Sequence, residues 1–211
     1  MSGKRLLILL LLPATTGCGG VSLPFFGPAN PQDVAAQPGD LPSGLQRCAE
    51  SGDINTFLKN TKSQNPQTAT DVQNQWKNLQ NKGATDGYVQ VFSDNKAECT
   101  SLFGVGRTGE RNFKLAFNIV FKFKDESSAM KAYESGALGI TPKNAKSQPG
   151  VTEGNATGLG NNSVTFTETF GNQPLYLGFW QNKSFDILLL TVNIANGEAK
   201  QAATRINQRV H

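Results

Sequence analysis

The clearest periodicity in the chain runs from Phe113 to Phe123. Phe113, Leu115, Phe117, Ile119, Phe121 and Phe123 take every second position, with Lys114, Asn118 and Lys122 between them. Apolar residues at period two mark one buried face of a strand in an antiparallel sheet. Asp125 then serves as N-cap for a helix over 126–135, with Ala129, Ala132 and Tyr133 inward and Gly136 ending it. Three further strands are expected over 164–170, 175–181 and 185–194. The turn-like segments 171–174 and 181–184 join them into a meander. A closing helix over 197–210 places Ala199, Ala202, Ala203, Ile206 and Val210 on one face.

Upstream, Asp53 can N-cap a short helix carrying Ile54, Phe57 and Leu58. A second helix near 70–81 spaces Ala69, Val72, Trp76 and Leu79 along one stripe, with Lys82 in its last turn and Gly83 at its C-cap. Trp76 reads as a core anchor. Tyr88–Phe92 alternate as a short strand, and 97–102 form a helical turn or a strand start around Cys99. Residues 137–162 are rich in Gly, Pro and Asn and read as a long loop. The order is two helices, two strands, a helix, a loop, three strands and a helix. That is an α+β domain over 44–211, with an antiparallel sheet of about five strands and helices packed on its apolar face.

The first 43 residues differ in kind. Lys4-Arg5 precede seven consecutive Leu or Ile residues, Leu6–Leu12, and Pro13 ends the run. The run is far shorter than the roughly 20 residues that span a bilayer, so 1–17 read as a signal peptide. The following Thr15-Thr16-Gly17-Cys18 resembles a bacterial lipobox, with Thr15 where that motif usually has an aliphatic residue. The resemblance implies cleavage before Cys18 and diacylglycerol on its sulfur. The lipid would hold the protein to the membrane without a spanning segment. Residues 18–43 contain five of the ten prolines and read as a lipid-anchored tether. Within it, Leu23-Pro24-Phe25-Phe26 form a local apolar patch.

Composition sharpens this picture. The formal charge of +4 includes Lys4 and Arg5, which leave with the signal, so the mature chain is close to neutral. A basic balance of that origin argues little for nucleic acid, and no nucleic-acid partner is expected. The single His is His211, the last residue, which excludes Ser-His-Asp and Cys-His catalysis and His-based metal sites. With Cys18 lipidated, Cys48 and Cys99 remain as an even pair in an oxidising compartment, and a disulfide is expected. Closing a loop of that length is worth about 4 kcal/mol in the chain-entropy model. No third or fourth ligand of the right type accompanies the pair, so no metal site is expected.

Candidate chemistry is sparse. Gly154 to Gly160 has the glycine density of a phosphate loop, but it lacks the Gly-Lys-Ser/Thr end and runs into a strand. A turn needing positive φ explains it better. Asp125 and Glu126 suit a helix start and its dipole, and Glu98 beside Cys99 has no supporting partner in the sequence. Arg107, Arg111, Lys114, Lys122 and Lys124 form a solvated basic face, since the Phe side chains between the lysines point the other way. Asn155, Asn161 and Asn182 match glycosylation acceptor patterns by chance in a chain with a bacterial lipobox. No catalytic or cofactor-binding residue is assigned.

One resemblance extends over residues 113–210. Its parts are the strand end Phe121-Lys122-Phe123-Lys124-Asp125, the Ala-rich helix, the Gly158–Ser163 turn before the meander, and a closing helix ending at Arg209. This plan resembles extracellular PknH-like sensor domains and the PsbP-type fold, and it carries over no ligand residue. The expectation is a non-catalytic, extracytoplasmic binding or sensor-type protein, held by lipid on Cys18, whose partner is an unidentified protein or small molecule. Two alternatives stand beside it. One is a carrier of lipid or other hydrophobic cargo, motivated by the Phe-rich sheet face. The other is a hydrolase using carboxylates only.

Overall fold

The computed structural model describes residues 29–99, 112–136, 139–145 and 148–210. The signal segment, Cys18, the first part of the tether, Arg107 and Arg111 lie outside them.

The helices start where short polar side chains can meet unpaired N–H groups. Helix α1 is a single turn, Pro31–Val34, capped by Asn30. Asp53 caps α2, Ile54–Lys62, accepting from the amides of Asn55 at 3.0 Å and Thr56 at 3.1 Å. Asn65 caps α3, Pro66–Asn81, accepting from Thr68 N at 3.1 Å. This cap and Pro66 at the first position begin α3 a turn earlier than its apolar stripe suggests. Asp125 caps α4, Glu126–Glu134, through Ser128 N at 2.7 Å. The short α5, Pro142–Ala145, lies within the segment expected to be loop. Helix α6 is Asn196–Gln208.

Among the described residues, eight strands form one antiparallel sheet. They are β1 (Gln46–Arg47), β2 (Gly52–Asp53), β3 (Ala84–Ser93), β4 (Leu115–Phe123), β5 (Val151–Glu153), β6 (Ser163–Phe170), β7 (Gln173–Asn182) and β8 (Phe185–Val192). The order is β1-β3-β4-β8-β7-β6-β5, with β2 also on β3. The α+β class holds. The five long strands are the expected ones, and the three additional strands have only two or three residues. Such pieces carry no period and form only because a neighbour offers its edge.

Registers align side chains in rows across one face. One row reads Val91, Phe117, Leu190, Leu177, Phe166, Val151. The next reads Val89, Ile119, Leu188, Phe179, Val164, Glu153. A third runs Gly87, Phe121, Asp186, Gln181 and reaches Asn162, whose carbonyl accepts from Gln181 N at 2.8 Å. Helices α2 and α3 cover the β3–β4 end of this face, and α4 crosses β4, β8 and β7. Trp76 of α3 stacks on Phe121 with ring centroids 5.6 Å apart. Phe57, Leu79, Phe121 and Phe123 are buried there. The Phe-rich face is therefore a packed core at this end.

Helices cover the opposite face too, contrary to the one-sided packing expected. Tyr88, Phe92, Ala116, Val120, Trp180, Ile187 and Leu189 bury against α1 and α6. Two supposedly solvated positions change with it. Asn118 is fully buried, accepting from Ala36 N and donating to Leu188 O, both at 2.8 Å. Lys122 donates to Ala29 O at 2.9 Å. The tether expected over 18–43 is packed from residue 29 onward, with Val34, Ala35 and Ala36 fully buried. Arg209, after α6, donates to Asp40 Oδ1 and Oδ2 at 2.9 and 2.7 Å and to the carbonyls of Val34 and Ala35. That arrangement defeats the composition reading, because small residues and prolines suit a segment lying flat on a sheet as well as a tether.

Cys48 and Cys99 form a disulfide, with Cα atoms 5.8 Å apart and a separation of 51 positions in sequence. Among the described residues, no helix is long and apolar enough to cross a membrane.

Candidate functional site

The far half of the Phe face, over β7, β6 and β5, is covered differently. Its cover includes α5 and the chain beside it, with Ile140, Pro142, Lys143, Ala145 and Gln148 among the described members. One turn of helix, four residues long, covers far less of the face than α2 of nine residues and α3 of sixteen. Two hollows result. A cleft of about 700 Å³ is lined by Tyr133, Lys143, Glu153, Asn161, Asn162 and Val164, among others. An apolar pocket of about 240 Å³ is lined by Ile140, Ala145, Val151, Val164, Phe166 and Leu177, with Gln148 at its edge. Val164 belongs to both.

The polar lining is placed by rigid elements. Tyr133 sits in the last turn of α4 and packs on Phe179 of β7, with centroids 4.9 Å apart. Burial raises its hydroxyl pKa, and the nearby carboxyls of Glu153 and Asp186 raise it further. Tyr133 therefore stays a neutral hydrogen-bonding group at physiological pH. Glu153 ends β5 opposite Val164. The Gly154–Ser163 turn is knitted by Ser163, whose hydroxyl bonds to Thr157 Oγ1 at 2.6 Å and donates to Gly160 O at 2.6 Å. Gly158 and Gly160 take φ of +78° and +107°, so the glycines serve the turn as the sequence implied. The turn presents Asn161 and Asn162 to the cleft, and Asn162 Nδ2 donates to Gln181 Oε1 at 2.6 Å.

Asp186 lies behind this lining in the third row, beside Gln181 and Phe121. It is 1% exposed, and neither carboxyl oxygen has a hydrogen-bond partner among the described residues. Burial pushes its pKa up to about 8, so the carboxyl is protonated at neutral pH. A neutral carboxylic acid is both a donor and an acceptor. The cleft thus gathers Tyr133, Lys143, Glu153, Asn161 and Asn162, with Asp186 and Gln181 in the row behind them.

Sequence reasoning assigned Tyr133 to the core and passed over Glu153 and Asp186. The signal for Asp186 was present: a carboxylate between Phe185 and Ile187 opens a run of inward and outward apolar positions. Glu153 had no signal, because β5 has none.

The other candidates resolve elsewhere. Asp125 and Asp53 act as helix caps. Glu98 ends a 3-10 turn, Lys96–Glu98. Glu50 lies close to the Cys48 and Cys99 sulfurs, supplying a third donor that the spacing did not reveal. The two sulfurs are bonded to each other, and a thiolate is the form that ligates metal.

No protein-family model matches the chain, and no curated protein matches it. Among solved structures, the chain is similar to the extracellular domain of PknH from Mycobacterium tuberculosis, with a TM-score of 0.37 and 13% identity. The match covers 61% of this chain and 66% of that one. At that distance no residue role passes from one protein to the other.

Proposed function

We propose that the protein is a lipid-anchored, extracytoplasmic binding protein that takes a small ligand in the cleft between α4, α5 and the β5–β6 edge. One observation carries the reading. Polar groups from α4, β5 and the turn before β6 converge on a hollow of about 700 Å³, within the range of small-molecule sites. At the β3–β4 end of the same face the space is filled by side chains of α2 and α3, so the hollow is a local departure from that packing. The lipobox-like Cys18 supports the anchor and the extracytoplasmic location, and the Cys48–Cys99 disulfide supports an oxidising compartment.

Native mass spectrometry on protein extracted from its own membranes tests the cleft. The expected result is a small molecule retained by the wild type and lost from Glu153→Lys. A ligand-free wild type, with no adduct at any extraction condition, would overturn the binding reading. Peptide mass analysis of Cys18 tests the anchor separately, and an unmodified Cys18 would remove it.

A second reading has one observation in its favour. Glu134 and Glu153 both line the cleft, so two carboxylates share one hollow. A carboxylate-only hydrolase would release reducing ends from a glycan panel, and both Glu134→Gln and Glu153→Gln would abolish that release. Binding without turnover leaves the non-catalytic reading standing.

A further inference from the structure

We propose that the cleft and the apolar pocket are one continuous site, and that it takes a single-chain amphiphile with an uncharged, hydrogen-bonding head. This holds only if the cleft binds a ligand at all, as proposed above, and it names the class of that ligand.

Three elements contribute to both hollows, and each does so in the same order. On β5, Val151 faces the pocket and Glu153 faces the cleft. On β6 and its preceding turn, Phe166 lines the pocket, Val164 lines both, and Asn162 and Asn161 line the cleft. On α5, Ala145 belongs to the pocket and Lys143 to the cleft. Strand residues two apart on one face are separated by about 7 Å. Polarity therefore changes along one direction over about one residue pair, and Val164 forms the common wall. A ligand filling both halves must itself be apolar at one end and polar at the other.

Size and charge narrow the class. An apolar cavity of about 150 Å³ holds a benzene ring. The pocket, at about 240 Å³, has room for one short chain and none for a pair of acyl chains. Among its described members the cleft lining carries two carboxylates, Glu134 and Glu153, and one ammonium, Lys143, a balance that disfavours an anionic head. Asn161, Asn162 and Tyr133 offer donors and acceptors without charge, which suits hydroxyl or amide groups on the head.

The test is a backbone and methyl NMR titration of the mature protein with three probes below micelle-forming concentration: n-octyl glucoside, glucose and n-octyl sulfate. Octyl glucoside is expected to shift Val151, Val164, Glu153 and Asn162 together. It is also expected to bind at least tenfold more tightly than either glucose or octyl sulfate. Val151→Trp, at a half-buried edge-strand position, fills the pocket and should bring octyl glucoside down to the level of glucose. Glu153→Lys should reverse the preference in favour of octyl sulfate by at least tenfold.

Equal affinity for glucose and octyl glucoside would overturn the amphiphile class while leaving a polar ligand in the cleft. Equal affinity for the two detergents, unchanged by Val151→Trp, would reduce the binding to adsorption and overturn the proposal. So would the absence of any shift at Val151 and Val164. In that last case the native mass spectrum of the wild type decides the cleft on its own.

Discussion

The two ends of one sheet face are built from the same alternation and reach different ends. Over β3 and β4, the rows carry Val89, Val91, Phe117, Ile119 and Phe121, under α2 of nine residues and α3 of sixteen. Over β6 and β5 the same rows carry Val164, Phe166, Val151 and Glu153, under an α5 of four. Both ends are apolar by period two. What separates core from site is the length and side-chain volume of the element laid across. An apolar strand face is thus necessary for a pocket or a core, and the cover decides between them.

Asp186 sits in the row where the two regimes meet, and its pH dependence is the largest expected effect. Its pKa is raised from 3.8 to about 8 by burial. Between those values the folded chain holds a proton that the unfolded chain has released, so raising the pH favours unfolding. Stability should fall by up to about 1.4 kcal/mol per pH unit between pH 4 and 8, then level off. Asp186→Asn should flatten this slope and leave the protein more stable than the wild type at pH 9. Urea unfolding at several pH values measures it, and an unchanged slope in the variant would show that Asp186 is hydrated.

Removing one ring from each end compares the covers directly. Phe121→Ala beneath Trp76 should cost about 4 kcal/mol, as large-to-small changes in closed cores do. Phe166→Ala, half-buried over the pocket, should cost no more than about 1.5 kcal/mol. Equal losses in chemical denaturation would erase the distinction between core and site. At the filled end, Cys48→Ser with Cys99→Ser should lower stability by about 4 kcal/mol, read from the same denaturation curves. On the opposite face, Arg209→Ala removes the partner of Asp40 and should cost about 2 kcal/mol. Limited proteolysis should then cut between residues 29 and 45 first.

Legibility in the sequence followed the range of the interaction. Caps at Asp53 and Asp125, the stripe of α3 and the period of β4 are local, and all were readable. The buried second face was partly readable. The run Ile187–Leu190 has no alternation, which is how a strand covered on both sides looks. The packed segment 29–41 was not readable, because what holds it is Arg209, some 170 residues away. The site was the least legible part. Its residues come from α4, α5, β5, β6 and the turn before β6, and β5 exists only through pairing with β6.

The clasp at Arg209 also has a mechanical meaning. If the chain is held at Cys18, any drag on the domain is transmitted through the residues that enter at Ala29. Behind the bond from Lys122 to Ala29 O, that tension falls on the contact between the segment 31–40 and the end of α6. There, the guanidinium grips Asp40 and the carbonyls of Val34 and Ala35 side by side. Bonds arranged in parallel share a force, and Arg209 would act as strain relief for the sheet behind it. The cleft, on the far side of that sheet, would keep its shape while the leash is pulled.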